Sequence, residues 1–106
     1  MIFEWDEAKN ESNFRKHGIR FDNAVQVFDD PDCLIEKTYS DPRTGEQRWK
    51  ATGLVPTFGS KELVVIHVYR ANEWETPEIG EEPQEVVRII SARKAHSSES
   101  RRYQGA

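Results

Sequence analysis

From Cys33 to Ala95 the chain breaks into four strand-like runs separated by turn-forming residues, and this is what most limits how it can fold. The runs are "CLIEKTY", "EQRWKATGLV", "ELVVIHVYR" and "EVVRIISARKA", and the connections are "SDPRTG", "PTFGSK" and the segment 71–85. Asp, Pro and Gly in the first two connections favour tight turns. Strands that follow one another through turns pair as an antiparallel meander. The run "ELVVIHVYR" is the most apolar and is expected at the centre of the sheet.

Upstream of the meander, "IFEW" alternates and reads as a short first strand. Asp6 is a good N-cap for a helix through "EAKNESNFRKH", and Gly18 a good C-terminal stop. That helix has few large apolar residues, chiefly Ala8 and Phe14, so a narrow packed stripe is expected. Asp22 can cap a second helix whose buried side is Ala24, Val25, Val27 and Phe28; Pro31 ends it. A short C-terminal helix over "HSSESRRYQ", capped by Ser97 or Ser98, is allowed. The expected fold is α+β: two N-terminal helices packed on one face of a four- to five-stranded antiparallel sheet. The other face is left to water or a ligand. All of 1–106 forms one domain, with an acidic hairpin loop at 71–85.

Net charge is −4, which by itself argues against a nucleic-acid partner. The distribution changes that. The segment "ANEWETPEIGEEPQE" (71–85) holds six glutamates and no Lys or Arg, so the remainder of the chain is weakly basic. Residues 86–106 carry Arg88, Arg93, Lys94, Arg101 and Arg102 against Glu99 alone. This permits a phosphate-binding site. One cysteine, Cys33, rules out an intrachain disulfide, and no Cys/His spacing suggests a metal site. No cofactor is expected. The N-terminus has acidic residues at once and no apolar stretch, so a cytoplasmic protein without a signal peptide or membrane span is expected.

Strand side chains alternate in direction. In "ELVVIHVYR", Leu63, Val65, His67 and Tyr69 share one face, and Val64, Ile66, Val68 and Arg70 the other. Glu46, Arg48, Lys50 and Thr52 share a face of the run before it. Arg88 sits mid-strand among apolar neighbours. A guanidinium buried without a partner costs several kcal/mol, so Arg88 is expected to meet a carboxylate such as Glu46 or Glu36, a phosphate, or an open groove. Arg93 has the opposite parity in a regular strand, so a bulge or strand exit near Ser91 is needed for both to reach one groove. As a set these side chains supply what phosphodiester cleavage needs. Arginines clamp phosphate and stabilise transition-state charge, and a His or Glu moves protons.

The residues also match a known pattern. "FEWDEAKNESNFRKHGIRF" (Phe3–Phe21), "AVQVFDDP", "GEQRW", "LVVIHVYR" and "VRIISARKA" followed by "ESRRY" resemble the BrnT-type toxins of bacterial type II toxin–antitoxin modules over nearly the whole chain. The opening and closing motifs together are quite specific. The resemblance implies a compact relative of the RelE/ParE fold and a ribonuclease that arrests translation. It implies a BrnA-like ribbon-helix-helix antitoxin as partner, with operator DNA bound only through that antitoxin. The loop at 71–85 looks longer and more acidic than the family's hairpin.

The expected function is a metal-independent endoribonuclease using the RNA 2′-hydroxyl as nucleophile. The candidate catalytic residues are His67, Arg88, Arg93 and Glu46, with Arg48, Lys50, Arg70 and Lys16 as substrate-binding candidates. The alternative is a non-catalytic antitoxin-binding module and co-repressor.

Overall fold

The computed structural model describes residues 1–72, 78–81 and 84–105. Strand β1 (Ile2–Glu4) leads into helix α1 (Glu7–His17) and the single-turn helix α2 (Phe21–Ala24), which continues as a 3₁₀ turn, Val25–Asp29. Strands β2 (Leu34–Ser40), β3 (Gln47–Val55), β4 (Lys61–Ala71) and β5 (Glu85–Lys94) follow, and helix α3 (Ser97–Tyr103) ends the order. No helix among the described residues is long and apolar enough to cross a membrane.

Strands β2 to β5 form the antiparallel meander that their turns call for. The sheet as a whole is mixed, which corrects the antiparallel expectation. Its order is β1-β5-β4-β3-β2, and β1 runs parallel to β5. Turn chemistry cannot reveal this, because no turn joins β1 to β5; they meet through non-local pairing of Ile2, Phe3 and Glu4 with Val86, Val87 and Arg88. Among the described residues there are three α-helices, the two expected near the N-terminus and the C-terminal one that the sequence allows.

The main core lies between the sheet and the segment from Ile19 to Val27. Ile19, Phe21, Ala24 and Val27 pack on Ala51, Val55, Leu63, Val65, Val87, Ile89 and Ala92. Gly53 allows that approach. A Cβ there would lie 2.9 Å from the Val27 carbonyl oxygen and 3.2 Å from Asp30 Oδ2.

Helix α1 starts where expected. The Asp6 carboxylate accepts the N–H groups of Ala8 and Lys9 at 2.8 and 3.2 Å, and Gly18 closes the helix at φ 72°. Its buried face, however, is Asn10 and Asn13, while Ala8 is exposed and Phe14 is 40% exposed. The Asn13 amide acts as a piece of strand. It donates to the Ala92 carbonyl at 2.9 Å and accepts the Ala92 N–H at 3.0 Å, continuing the β5 edge past the end of β1. It also donates to the Ile19 carbonyl at 2.9 Å, and the Phe21 N–H is accepted by Asn10 at 2.8 Å. The buried polar side chains thus stand where a lost ladder bond would otherwise cost about 1–3 kcal/mol.

Other expected caps shift. Arg20, not Asp22, precedes α2. His96, not a serine, caps α3, and its N–H is accepted by Glu99 at 2.8 Å. The loop between β4 and β5 starts after Ala71 and ends before Glu85. Trp74, Glu73, Glu75 and Glu82 of the acidic segment lie outside the described residues.

Candidate functional site

The first question is which way the β5 arginines point. Ile66 pairs with Ser91 but His67 pairs with Ile89, so Ile90 is an extra residue, a β-bulge. The bulge resets the alternation. Arg88 lies opposite Val68 and Arg93 opposite Val64, and both valines share one face of β4. Directly opposed residues share a face. Arg88, Ser91 and Arg93 therefore stand together, facing away from α1 and α2.

The same rule brings Lys50 onto this face opposite Ile66, Glu36 opposite Lys50, and Glu4 opposite Arg88. Arg48 and Arg70 belong to it by alternation along β3 and β4. Five of the residues expected from sequence thus come together: Arg48, Lys50, Arg70, Arg88 and Arg93. Val64 and Val68 beneath them are buried. Long cationic side chains can cover such residues with their stems and keep their heads in water. This answers why an arginine sits inside an apolar strand.

Helix α3 covers one end of this face, which is therefore not fully open. Glu99 is 5% exposed. It accepts both terminal nitrogens of Arg93, at 2.7 and 2.9 Å, and the Lys50 ammonium at 3.1 Å. The Arg93 guanidinium, with help from the His96 N–H and Lys50, holds the Glu99 carboxyl down at about 2 despite its burial. Arg102 pairs with Glu36. Tyr103 donates to Asp30, which also accepts the Leu54 N–H at 2.8 Å. The bond to Asp30 pushes the Tyr103 phenol up to about 12.

The uncovered end differs. Arg88 has one charged neighbour among the described residues, Glu4, at 3.6 Å, and makes no hydrogen bond within 3.5 Å to them. The same Glu4 oxygen is 3.4 Å from Arg70. Side chains here are partly in water, 28% for Arg88 and 41% for Glu4. A pair of this kind is worth only about 0–1 kcal/mol. Arg93 is fixed by a bidentate bond to a buried carboxylate, whereas Arg88 is free to exchange Glu4 for another anion. Arg48 is anchored at the β2–β3 turn by Asp41 at 3.1 Å.

The remaining candidates lie elsewhere. His67 is fully buried on the opposite face, edge-on to the Phe28 and Tyr69 rings with centroids 5.0 Å away. Its Nδ1–H donates to the Val65 carbonyl at 3.2 Å, and burial lowers its pKa from 6.5. Its Nε2 is buried and has no partner among the described residues. Glu46 is exposed in the β2–β3 turn, ahead of β3. Lys16, in the last turn of α1, lines a shallow cleft with Lys9, Ser12, Ile90 and Ser91, at the sheet edge beside the arginines.

Sequence reasoning missed the carboxylates. Strand pattern offers Glu36 and Glu46 as partners for Arg88, but its charged neighbour among the described residues is Glu4. No local signal joins β1 to β5. Glu99 stood out as the one acid in a basic stretch, and that was the available signal.

Among the described residues no three His, Cys, Asp or Glu side chains converge as a metal site. No curated protein matches the chain. A family model described as ribonuclease toxin, BrnT, of type II toxin–antitoxin system matches residues 5–99. That match takes in α1, α2, strands β2 to β5 and the start of α3 but not β1, and the chain belongs to this BrnT family of ribonuclease toxins.

Proposed function

We propose that this chain cleaves RNA on the cationic face without a metal ion, arrests translation by doing so, and is neutralised by a BrnA-like ribbon-helix-helix antitoxin. The observation that carries the RNA-cleaving role is Arg88. It is a half-buried guanidinium held mid-strand by the bulge register, flanked by cations, with only a long contact to Glu4 among the described residues. A phosphate fits this position, because a bidentate guanidinium–phosphate bond is stronger than a water-exposed ion pair at 3.6 Å.

In this scheme Arg88 binds the scissile phosphate and stabilises the charge that grows on it as the 2′-hydroxyl attacks. Lys50 and Arg48 add positive potential from β3, and Arg70 from β4. Arg93, locked to Glu99, contributes charge and supports the face. Lys16 meets the RNA backbone beyond the β5 edge. RNA supplies its own nucleophile, so the protein's task is positioning and charge stabilisation. His67, turned into the core, acts by packing. The antitoxin completes the type II pair, and operator DNA is reached only through it.

The test is controlled expression in bacteria with and without a co-expressed antitoxin. Wild type is expected to stop growth and protein synthesis, the antitoxin to restore both, and Arg88→Ala to be tolerated at equal protein level. Growth arrest undiminished in Arg88→Ala, or no arrest by wild type, would contradict the assignment.

A further inference from the structure

Cleavage through the 2′-hydroxyl needs a group that removes its proton, and the cations of this face cannot do so. Resting on the RNA-cleaving role above, we propose that Glu4 is the catalytic base. Asp41 is bound to Arg48 at the β2–β3 turn, and besides it four carboxylates lie on this face among the described residues: Glu4, Glu36, Glu62 and Glu99. Three are excluded by their surroundings.

Glu99 is buried and bound to Arg93, Lys50 and the His96 N–H, all of which stabilise its ionised form. Such a carboxylate holds a proton too weakly to serve as an effective base. Glu36 is paired with Arg102, and its other oxygen is sealed from solvent. Glu62 lies opposite Leu54, six positions along β4 from Val68, or about 20 Å from the Arg88 row at the rise of a strand. His67 is on the other face of the sheet.

Glu4 has what the others lack. It sits directly opposite Arg88 in the β1–β5 register. One oxygen lies between Arg88 and Arg70, at 3.6 and 3.4 Å, and the side chain is 41% exposed. Its second oxygen makes no hydrogen bond to the described residues. A phosphate that takes Glu4's place on Arg88 therefore lies next to a carboxylate that Arg70 still holds and whose second oxygen is unbonded among the described residues.

The step balances as follows. Glu4 takes the proton of the 2′-hydroxyl, and the 2′-oxygen forms a bond to phosphorus. The bond from phosphorus to the 5′-oxygen breaks, and that oxygen takes a proton from water. The products are a 2′,3′-cyclic phosphate and a free 5′-hydroxyl. Glu4 then releases its proton to solvent.

The experiment compares wild type, Glu4→Gln, Glu4→Asp and Arg88→Ala on a short fluorophore–quencher RNA of mixed sequence, after each is shown to fold by circular dichroism. Glu4→Gln is expected to lower kcat about 10²–10⁴-fold. It should bind the uncleaved RNA as tightly as wild type or tighter, since a negative charge beside the phosphate is gone. Glu4→Asp should recover part of the rate. Glu4→Gln with kcat within threefold of wild type, or with weakened RNA binding that accounts for its loss of rate, would overturn the assignment. Active Glu4→Gln beside inactive Arg88→Ala removes only the base. No cleavage by wild type removes the RNA-cleaving role itself.

Discussion

Arg93 commits both terminal nitrogens to Glu99, while among the described residues Arg88 meets only Glu4 at ion-pair range, and this difference decides which arginine is available to a ligand. His67 shows the converse, a titratable group whose surroundings favour the neutral form. Burial pushes its pKa below 6.5. The unfolded chain therefore takes up this proton more readily than the folded one. The stabilisation is fully present above about pH 6.5 and is lost as pH falls below it. Glu99 acts in a lower window. Its contribution is present above 4.5 and is lost as pH falls through about 2, so it does not confuse the His67 range. The urea midpoint of wild type should therefore fall between pH 7.5 and pH 5.5, and fall less in His67→Leu. Equal decreases in both proteins would show that His67 is not the titrating group.

At the scale of elements, α1 is fixed to the sheet by amide hydrogen bonds rather than by an apolar stripe. Asn13→Ala leaves the buried N–H and C=O of Ala92 unpaired, at about 1–3 kcal/mol per group, so roughly 3 kcal/mol is expected in all. Phe14→Ala, on the exposed side, removes a ring under the Arg20 guanidinium 4.1 Å away, worth about 0.5–1 kcal/mol. Denaturation midpoints should rank the two in that order, although the hydrophobicity of the side chains suggests the reverse. The helix ends at Asp6 and Gly18 were legible because capping is local chemistry. The faces of β4 were legible from alternation, with Leu63 and Val65 in the core and Val64 and Val68 on the far side. The parity of β5 was legible only as a condition, a bulge near Ser91, because no glycine or proline marks the bulge that lies at Ile90. The packing role of Asn10 and Asn13 was not legible, since an asparagine on a helix reads as solvated until its partner is known.

Across the whole molecule, the cationic face is assembled from parts far apart in sequence. Glu4 comes from the first strand, Lys50 from the third, Arg88 and Arg93 from the fifth, and Glu99 from the last helix. The residue types were legible and several of their positions also. Their pairing was not, because β1 and α3 find their places through non-local contacts that no turn specifies. The arrangement makes a definite claim, that phosphodiester cleavage depends on Arg88 and on no metal ion. The most direct test is cleavage of a mixed RNA by the purified chain in excess EDTA, with folded Arg88→Ala in parallel. Wild type should cut and leave 2′,3′-cyclic phosphate ends, and Arg88→Ala should be slower by about 10²–10³-fold, the usual loss for one donor to a transition-state anion. Folded wild type that leaves the RNA intact, or Arg88→Ala that cuts at the wild-type rate, would contradict it.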